Sequence, residues 1–383
     1  MINQLKLRFV DESWDTQKLG NICKITMGQS PSSSNYSENK EDTVLIQGNA
    51  DLINGEVVPR VYTSEITKTS KPGDIILTVR APVGDLAINE FNSCIGRGVC
   101  SIEGDKFIYY FLQSLKDKHV WERLSQGSTF ESINSNDIKN LKIKMPSEKT
   151  QESISNFLTS IDVKIRLLEK KYNYYQDFKK FLMQQIFAQK LRFDKYNKDQ
   201  KVIRLDTVIS IINKRNKEDQ NLPVLSISNK LGFISQSEQF EDREVASSDK
   251  KNYKIVNKGE FAYNPARINV GSIAQLKTYE KGIISPMYIV FKIDSTQLNP
   301  IFFENFLDSD YFRYEMMKRL EGSVRMILSA ESLKNIKITV PPIEEQEKLS
   351  KVFSTFDKEI KITEYQIEKM QEFKKGLLQQ MFV

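Results

Sequence analysis

The 383-residue chain has one histidine and three cysteines. Because most acid–base and nucleophilic triads and many metal sites need histidines, His119 alone argues against chemistry of those kinds. We expect it to be an ordinary residue of the helix-like stretch 106–124. Cys23, Cys94 and Cys100 have neither metal-ligand nor CxxC spacing, which favours reduced, structurally ordinary thiols.

Long apolar runs are also missing. No run approaches the ~20 consecutive apolar residues that a membrane-spanning helix needs. The first residues, Met1 to Lys6, contain neither an apolar signal core nor a small-residue cleavage site. We therefore expect no membrane partner and a cytoplasmic location. The chain is longer than one hydrophobic core usually supports, which indicates about two domains.

The sequence lacks the motifs of several classes of enzyme that act on nucleic acids or use nucleotides. The string Asn264-Pro265-Ala266-Arg267 lacks the second proline and the aromatic residue of an adenine methyltransferase loop. No GxGxxG follows a predicted strand, and no GxxxxGK[ST] occurs. Glu359-Ile360-Lys361 lies in the middle of a predicted helix, without the upstream proline-aspartate partner of a nuclease site. We therefore expect neither a catalytic site nor a metal site in this chain.

The net charge is +6 and the isoelectric point is near 8.8. These values permit binding to a polyanion, although strongly basic domains are a clearer indication. A scaffold that carries two protein-binding domains on a coiled coil is an alternative that the composition leaves open.

The chain contains an internal repeat. Residues 139–187 match residues 334–382 at a constant offset of 195, with 19 identities in 49 positions, where average composition predicts roughly three. The repeat includes Lys139-Asn140-Leu141-Lys142-Ile143 and Lys334-Asn335-Ile336-Lys337-Ile338. The chain is therefore a tandem duplication.

Each copy of the repeat predicts a long amphipathic helix. Apolar residues recur in steps of three and four, which is the seam of a coiled coil. In the first copy the seam residues are Ile154, Leu158, Ile161, Ile165, Leu168, Tyr172 and Leu182. In the second copy they are Leu349, Phe353, Phe356, Ile360, Ile367, Met370 and Leu377.

Prolines mark the predicted helix starts, at Pro146 and at the pair Pro341-Pro342. Each helix would have about 41 residues and a length of about 60 Å. Because a domain-sized segment lies between the helices, the chain can return and pack the two seams antiparallel. The alternative is that each helix only covers its own domain.

The two segments outside the helices, roughly residues 10–140 and 200–335, predict α+β domains. Both have short β-type runs broken by Gly, Pro, Asn and Asp, such as 43–46, 74–79, 283–284 and 287–290. Both also have a helix-like aromatic stretch, at 107–124 and at 301–320. The predicted organisation is a first domain at 1–146, a spacer helix at 147–190, a second domain at 191–340 and a spacer helix at 341–383.

This order of domain, helix, domain and helix resembles the specificity subunit of type I restriction-modification systems. The resemblance includes a Pro-x4-Gln opening to each helix, from Pro146 to Gln151 and from Pro341 to Gln346, and a Gly-Ser-x element ahead of it. The elements Lys71-Pro72-Gly73-Asp74-Ile75 and Leu19-Gly20-Asn21-Ile22 are similar to those of the family's target recognition domains. The second domain opens with a predicted strand, residues 203–208, that lacks the glycine found at Gly20.

The resemblance implies that each domain reads a few base pairs in one half of a split double-stranded DNA target. It also implies that the paired helices set the gap between the halves and dock two methyltransferase subunits, which nuclease-translocase subunits join. S-adenosylmethionine, ATP and magnesium are then expected in the partner subunits and none of them in this chain. Because the two domains differ in sequence, we expect an asymmetric target.

Candidate DNA-binding residues are those of suitable type in turn-rich segments beside predicted strands. Base edges are read by Arg, Asn, Gln or Lys, and phosphates by cations and hydroxyls. In the first domain the candidates are Arg60, Tyr62, Lys68, Lys71, Arg80, Arg97, Ser128 and Thr129. In the second domain they are Lys214, Arg215, Lys250, Lys251, Tyr253, Asn264, Arg267, Ser323 and Arg325.

Overall fold

The structure is a computed structural model that describes residues 14–125, 132–193, 200–229, 231–235, 250–322 and 326–382. The chain divides into two units. Unit 1 comprises Met1–Lys170 and Glu364–Val383, and unit 2 comprises Lys171–Thr363.

Unit 1 is built on antiparallel and mixed sheets. Its described strands are β1 (Asp15–Lys18), β2 (Lys24–Met27), β3 (Tyr36–Ser37), β4 (Thr43–Ile46), β5 (Leu52–Ile53), β6 (Glu56–Val57), β7 (Val61–Thr63), β8 (Thr69–Ser70), β9 (Ile75–Thr78), β10 (Leu86–Ile88), β11 (Ser93–Ile95), β12 (Val99–Glu103) and β13 (Lys142–Met145). The sheet orders are β1-β13, β2-β12-β9-β10-β6-β5 and β3-β7-β4-β11-β8. All four residues of β9 are buried, as its apolar run predicts.

Unit 2 repeats this topology with fewer described strands. These are β14 (Lys201–Arg204), β15 (Ile209–Ile212), β16 (Val224–Ser228), β17 (Gly232–Ser235), β18 (Lys254–Asn257), β19 (Phe261–Tyr263), β20 (Ile273–Gln275), β21 (Lys281–Ile284), β22 (Ile289–Ile293) and β23 (Lys337–Val340). The sheet orders are β14-β23, β15-β22-β19-β20 and β17-β16-β21-β18. In both units an equivalent pair of parallel strands, β4 with β11 and β16 with β21, lies among antiparallel neighbours, and unit 1 has a further parallel pair, β6 with β10. The two units therefore share one fold.

The described helices are α1 (Leu19–Ile22), α2 (Lys106–Asp117), α3 (Val120–Ser125), α4 (Ser135–Lys139), α5 (Glu148–Phe187), α6 (Pro300–Leu307), α7 (Asp310–Met317), α8 (Ala330–Lys334) and α9 (Ile343–Met381). The α+β fold class predicted from the sequence is confirmed. None of these helices combines the length and the apolar character needed to cross a bilayer.

Both helix-like aromatic stretches are in fact pairs of helices. In unit 1 the break falls at His119, whose φ of 54° is left-handed, so His119 lies in a turn and not within a helix. Its Nδ1 is 2.7 Å from Glu122 Oε2 at an exposed site. In unit 2 the break falls at Ser309, whose side chain accepts a hydrogen bond from Phe312 N and caps α7.

The strand that we predicted at residues 203–208 forms only in part, because β14 ends at Arg204, and a short helical element follows the first strand in both units. Leu19 starts the short helix α1 and is fully buried, and its amide donates to Leu141 O at 2.8 Å. In unit 2, Leu205 starts a 3-10 turn and donates to Ile336 O at 2.9 Å. A Cβ at Gly20 would lie 2.8 Å from Lys139 Cβ, so the glycine allows α1 to contact α4 closely.

In unit 1 the first part of α5 and the last part of α9 complete one hydrophobic core with the sheet and α2. The seam residues Ile154, Leu158, Ile161 and Ile165 are buried in this core, with Leu377, and Met370 packs against it. Phe107 and Phe111 of α2 both contact the Phe382 ring, with centroids 5.1 and 6.1 Å apart. The predicted seam here faces both the globular core and the other helix.

In unit 2 the last part of α5 packs with the first part of α9. The seam residues Leu349 and Phe353 are buried in the second core, and Leu182 packs against it. The Tyr175 and Phe178 rings contact Phe356, with centroids 6.1 and 5.5 Å apart. The late residues of one helix thus meet the early residues of the other, as in the antiparallel pair that we predicted. Of the other seam residues, Leu168 is buried, and Tyr172, Ile360 and Ile367 are half-buried.

The Pro-x4-Gln motif has a hydrogen-bonding role. Gln151 Nε2 donates to Pro146 O at 2.8 Å, and Gln346 Nε2 donates to Pro341 O at 2.9 Å. In unit 2 the same amide also donates to Gln297 O and accepts from Asn299 N. Each glutamine therefore ties its long helix to the chain that enters it.

Candidate nucleic-acid interface

In unit 1 the ends of four strands meet at one cleft. The parallel neighbours β4 and β11 end side by side. β2 and β9 both pair antiparallel with β12, so they end where β12 begins. The turns after these four strands and Tyr36 enclose a cleft of about 410 Å³, which is lined by Ser30, Tyr36, Gln47, Gly48, Asn49, Arg80, Ala81, Arg97 and Gly98.

Glycines allow the turns around the cleft to touch through their backbones. A Cβ at Gly28 would lie 2.1 Å from Gly96 O, and a Cβ at Gly98 would lie 2.1 Å from Gln47 O. The Arg97 amide donates to Ser30 Oγ at 3.2 Å. The turn that carries Arg97 is thus packed directly against the neighbouring turns and held to one of them by a hydrogen bond, and a larger residue at Gly28 or Gly98 would have to move the chain.

The cleft presents two exposed guanidinium groups, those of Arg80 and Arg97. No carboxylate is among the lining residues, and within the described residues neither arginine is in a salt bridge. The nearby acid Asp51 is buried and accepts hydrogen bonds from the amides of Gln47 and Gly48 at 2.8 and 3.2 Å. Asp51 therefore stabilises the turn after β4 through these hydrogen bonds. The side chains that line the cleft are cationic or neutral.

Arg80 lies on a turn that is held at both ends. The backbones of Arg80 and Ser132 pair as an isolated antiparallel β-bridge, and the preceding Val79 O accepts a hydrogen bond from Ile133 N at 3.0 Å. Thr78 Oγ1 donates to Pro82 O at 2.8 Å across the turn. The sequence prediction thus included two arginines, Arg80 and Arg97, that the structure brings to one cleft.

The other candidates of unit 1 lie outside the lining of the cleft. Arg60 is exposed, with its Nη1 3.9 Å from Asp51 Oδ1. Tyr62 is half-buried in β7, and Lys68 and Lys71 are exposed. Ser128 and Thr129 lie outside the described residues.

In unit 2 several candidate cations lie close together on neighbouring turns. Lys214, Arg215, Lys250 and Lys251 are exposed. The backbones of Arg215 and Lys254 pair as an isolated antiparallel β-bridge. The Arg215 guanidinium donates to Asn252 Oδ1 at 3.0 Å. Burial lowers the pKa of Lys254, and the nearby positive charge of Arg215 lowers it further.

The remaining candidates of unit 2 differ in exposure. Tyr253 is 6% exposed and packs with Ile255 and Ile283, so little of its side chain can reach a ligand. Asn264 is also buried, and its Oδ1 accepts from Ala266 N at 3.0 Å, which shapes the turn after β19. Arg267 is exposed on that turn. Ser323 and Arg325 lie outside the described residues.

The two units carry different side chains at topologically equivalent turns. The turn between β11 and β12 contains Gly96, Arg97 and Gly98. Its counterpart between β21 and β22 is Ser285-Pro286-Met287-Tyr288, in which Met287 is 62% exposed. One fold therefore presents an arginine in unit 1 and an apolar side chain in unit 2.

The sequence prediction missed Ser30, Tyr36, Gln47 and Asn49 in the cleft. The signal that points to them is the glycine spacing of Ile95-Gly96-Arg97-Gly98-Val99, because alternate glycines beside a strand often mark a close backbone approach. The atom that Gly98 contacts, Gln47 O, lies about 50 residues away in the sequence. Its position depends on the pairing of the strands, so the local sequence does not predict it.

Comparison with known proteins identifies the class. The family model for the type I restriction modification DNA specificity domain matches residues 11–174 and again residues 197–372. These two matches cover most of the chain. The chain therefore belongs to the type I restriction-modification specificity family and has two DNA specificity domains.

Relatives with assigned roles include specificity subunits from Methanocaldococcus jannaschii. The chain is 36% identical over 191 residues to a protein assigned as the MjaX specificity subunit of a type I restriction enzyme, an alignment of 48% of this chain and 44% of that protein. It thus spans less than half of that relative. It is 23% identical over 375 residues to the MjaIX specificity subunit, covering 87% of this chain and 84% of that protein.

Solved structures share the fold. The crystal structure of a type I restriction-modification S subunit from M. genitalium aligns with a TM-score of 0.63 at 17% identity, covering 98% of this chain and 97% of that one. A chain from a study of complex assembly and conformational transition in a type I system aligns with a TM-score of 0.56, also at 17% identity, with 96% of each chain covered.

Proposed function

We propose that the chain reads a bipartite, asymmetric double-stranded DNA target, one half through each unit, as the non-catalytic specificity subunit of a cytoplasmic restriction-modification complex. The observation that carries the proposal is that two units of one fold have different exposed side chains at equivalent turns, Arg97 in one and Met287 in the other. Identical surfaces would suit a symmetric target, whereas different ones suit unlike half-sites.

The long helices supply the spacing and the docking surfaces in this proposal. Two methyltransferase subunits bind along the helices, and nuclease-translocase subunits join the complex. S-adenosylmethionine, ATP and magnesium act in those partners. The repeat supports two equivalent docking positions, because α5 and α9 retain the same residues at an offset of 195.

The proposal is tested by co-expressing the chain with a cognate methyltransferase subunit and sequencing the modified bases of the host DNA. We expect one motif with two unlike halves around a fixed gap. An unmodified genome, with both proteins folded and associated, or a single uninterrupted motif would contradict it.

A second measurement separates DNA recognition from a protein scaffold. The chain with its methyltransferase should bind random duplex DNA at low salt and release it as salt rises, because each neutralised phosphate frees counterions. If the complex does not bind DNA even at low salt, the scaffold alternative is favoured.

A further inference from the structure

We propose that Arg97 is a specificity-determining residue that reads a guanine in the half-site bound by unit 1, whereas Arg80 and Arg267 contact phosphates. The inference rests on the proposed function and deepens it. It assigns separate tasks to arginines that composition alone cannot distinguish.

The first argument is the contrast between equivalent turns. A side chain that reads bases has to differ between two domains that read different half-sites. The β11–β12 turn meets this requirement, because Arg97 has no charged counterpart in Ser285-Pro286-Met287-Tyr288. Arginine is suited to guanine, since its two parallel donors match the O6 and N7 acceptors in the major groove.

The second argument is what the units have in common. The turn after β9 carries the exposed Arg80, and the equivalent turn after β19 carries the exposed Arg267. Both turns receive the same backbone hydrogen bond, from Ile133 N to Val79 O and from Leu328 N to Pro265 O, each at 3.0 Å. The exposed arginine comes one residue after the acceptor in unit 1 and two residues after it in unit 2, so both turns carry a cation at nearly the same place. A cation that both units share fits the part of DNA that is the same in both half-sites, the phosphate backbone.

The third argument is the fixed backbone at Arg97. Gly28 and Gly98 bring the turn against its neighbours, and the Arg97 amide is held by Ser30 Oγ. An arginine that makes two hydrogen bonds to one base has to be held in one conformation. A well-placed backbone reduces the conformational entropy that the long side chain loses on binding. The neutral Gln47 and Asn49 line the same cleft, and none of its described lining residues is an acid that would compete for the guanidinium.

The test uses the full chain in complex with its methyltransferase, and reads both the methylated motif and competition binding. The competition panel consists of duplexes that each change one base pair of the wild-type motif. The variants are R97A, R97K, R80A and, as a matched control, R123A, which removes an exposed arginine on α3 outside the cleft. Thermal melting establishes that each variant is folded.

We expect R97A and R97K to lose discrimination at one G·C pair of the first half-site, by roughly 5- to 150-fold, and to keep the second half unchanged. Lysine should not rescue, because it lacks the paired donors of the guanidinium. R80A should weaken binding to every duplex alike and reduce the salt dependence by about one phosphate contact. R123A should behave as wild type.

The inference is overturned if R97A weakens binding uniformly with discrimination intact, if R80A relaxes a single position, or if the first half-site contains no G·C pair. If R97A abolishes methylation, the competition panel still decides, because binding is measured without modification. These outcomes differ from failure of the proposed function, in which the wild-type complex itself gives no bipartite motif.

Discussion

Lys374 Nζ of α9 lies 2.5 Å from Asp162 Oδ1 of α5 in unit 1, and the repeat has the same pair with the helices exchanged. In unit 2, Lys179 Nζ of α5 lies 2.6 Å from Asp357 Oδ1 of α9. Both residues of the second pair are related to those of the first by the offset of 195. Each helix therefore gives one lysine and one aspartate, and the two pairs fix the same antiparallel register.

The pair in unit 1 is part of a larger network. Tyr110 Oη donates to Asp162 Oδ2 at 2.8 Å, and Lys374 Nζ lies 5.4 Å from the centre of the Tyr110 ring. The Lys374 side chain is 11% exposed. Burial raises the pKa of Tyr110, so its hydroxyl remains a hydrogen-bond donor at neutral pH.

Removing the buried ammonium should destabilise the helix pair. We expect K374M to lower the free energy of unfolding by about 1.5–3 kcal/mol, which is typical of a lost hydrogen bond to a charged group. The midpoint of urea denaturation measures the effect. The neighbouring K375M is the control, because Lys375 is exposed. Equal midpoints for the two variants would show that the pair of Lys374 and Asp162 contributes nothing to stability.

The glutamine of the repeated motif should matter more in the second copy than in the first. Gln346 is 1% exposed and makes three hydrogen bonds with the backbone, whereas Gln151 is half-buried and makes one to Pro146 O. We expect Q346A to cost about 1–3 kcal/mol, because buried backbone groups lose their partners. Urea midpoints should place Q151A closer to wild type, and the reverse order would refute this explanation of the motif.

Glu304 should make stability depend on pH in one direction. Burial raises its pKa above the ordinary value, although Lys277, 2.6 Å away, opposes the shift. The folded state then holds the proton more tightly than the unfolded state. This contribution is complete below the ordinary pKa of 4.5 and is lost as pH rises through the folded value.

The variant E304Q has no ionisable group at this site, so it should gain stability relative to wild type as pH rises above about 4.5. Urea midpoints of both proteins between acidic and neutral pH measure the difference. E331Q, at a glutamate whose side chain is 79% exposed, is the control. A relative loss of stability for E304Q with rising pH would mean that the ion pair with Lys277 outweighs burial.

Shortening both long helices should alter the gap of the target and nothing else. Removing one heptad from each helix takes out about 10 Å at ~1.5 Å per residue, which corresponds to ~3 base pairs of duplex. We expect a methylated motif with unchanged halves and a shorter gap. An unaltered gap in an active, folded complex would count against the spacer role.

The long helices could be predicted closely from the sequence. The predicted spans 147–190 and 341–383 compare with Glu148–Phe187 and Ile343–Met381. Their apolar positions repeat within a few residues, so local periodicity is enough to define them. The runs that became β4 and β9 were recognisable for the same reason.

The cleft and the exposure of single residues were harder to predict. The contact of Gly98 with Gln47 O joins turns that are distant in sequence, and it exists only once the strands have paired. Tyr253 and Asn264 have side chains typical of DNA contacts, yet the fold buries both. Residue type predicts what a side chain can do, whereas the packing of the domain decides whether it reaches a ligand.

The account's central claim is that each unit reads its own half of the target. The most direct test replaces residues 10–140 with the corresponding segment of another family member and maps the methylated motif of the resulting complex. We predict that the first half of the motif changes and that the second half and the gap do not. A motif altered in both halves, or in neither, would contradict independent reading by the two units.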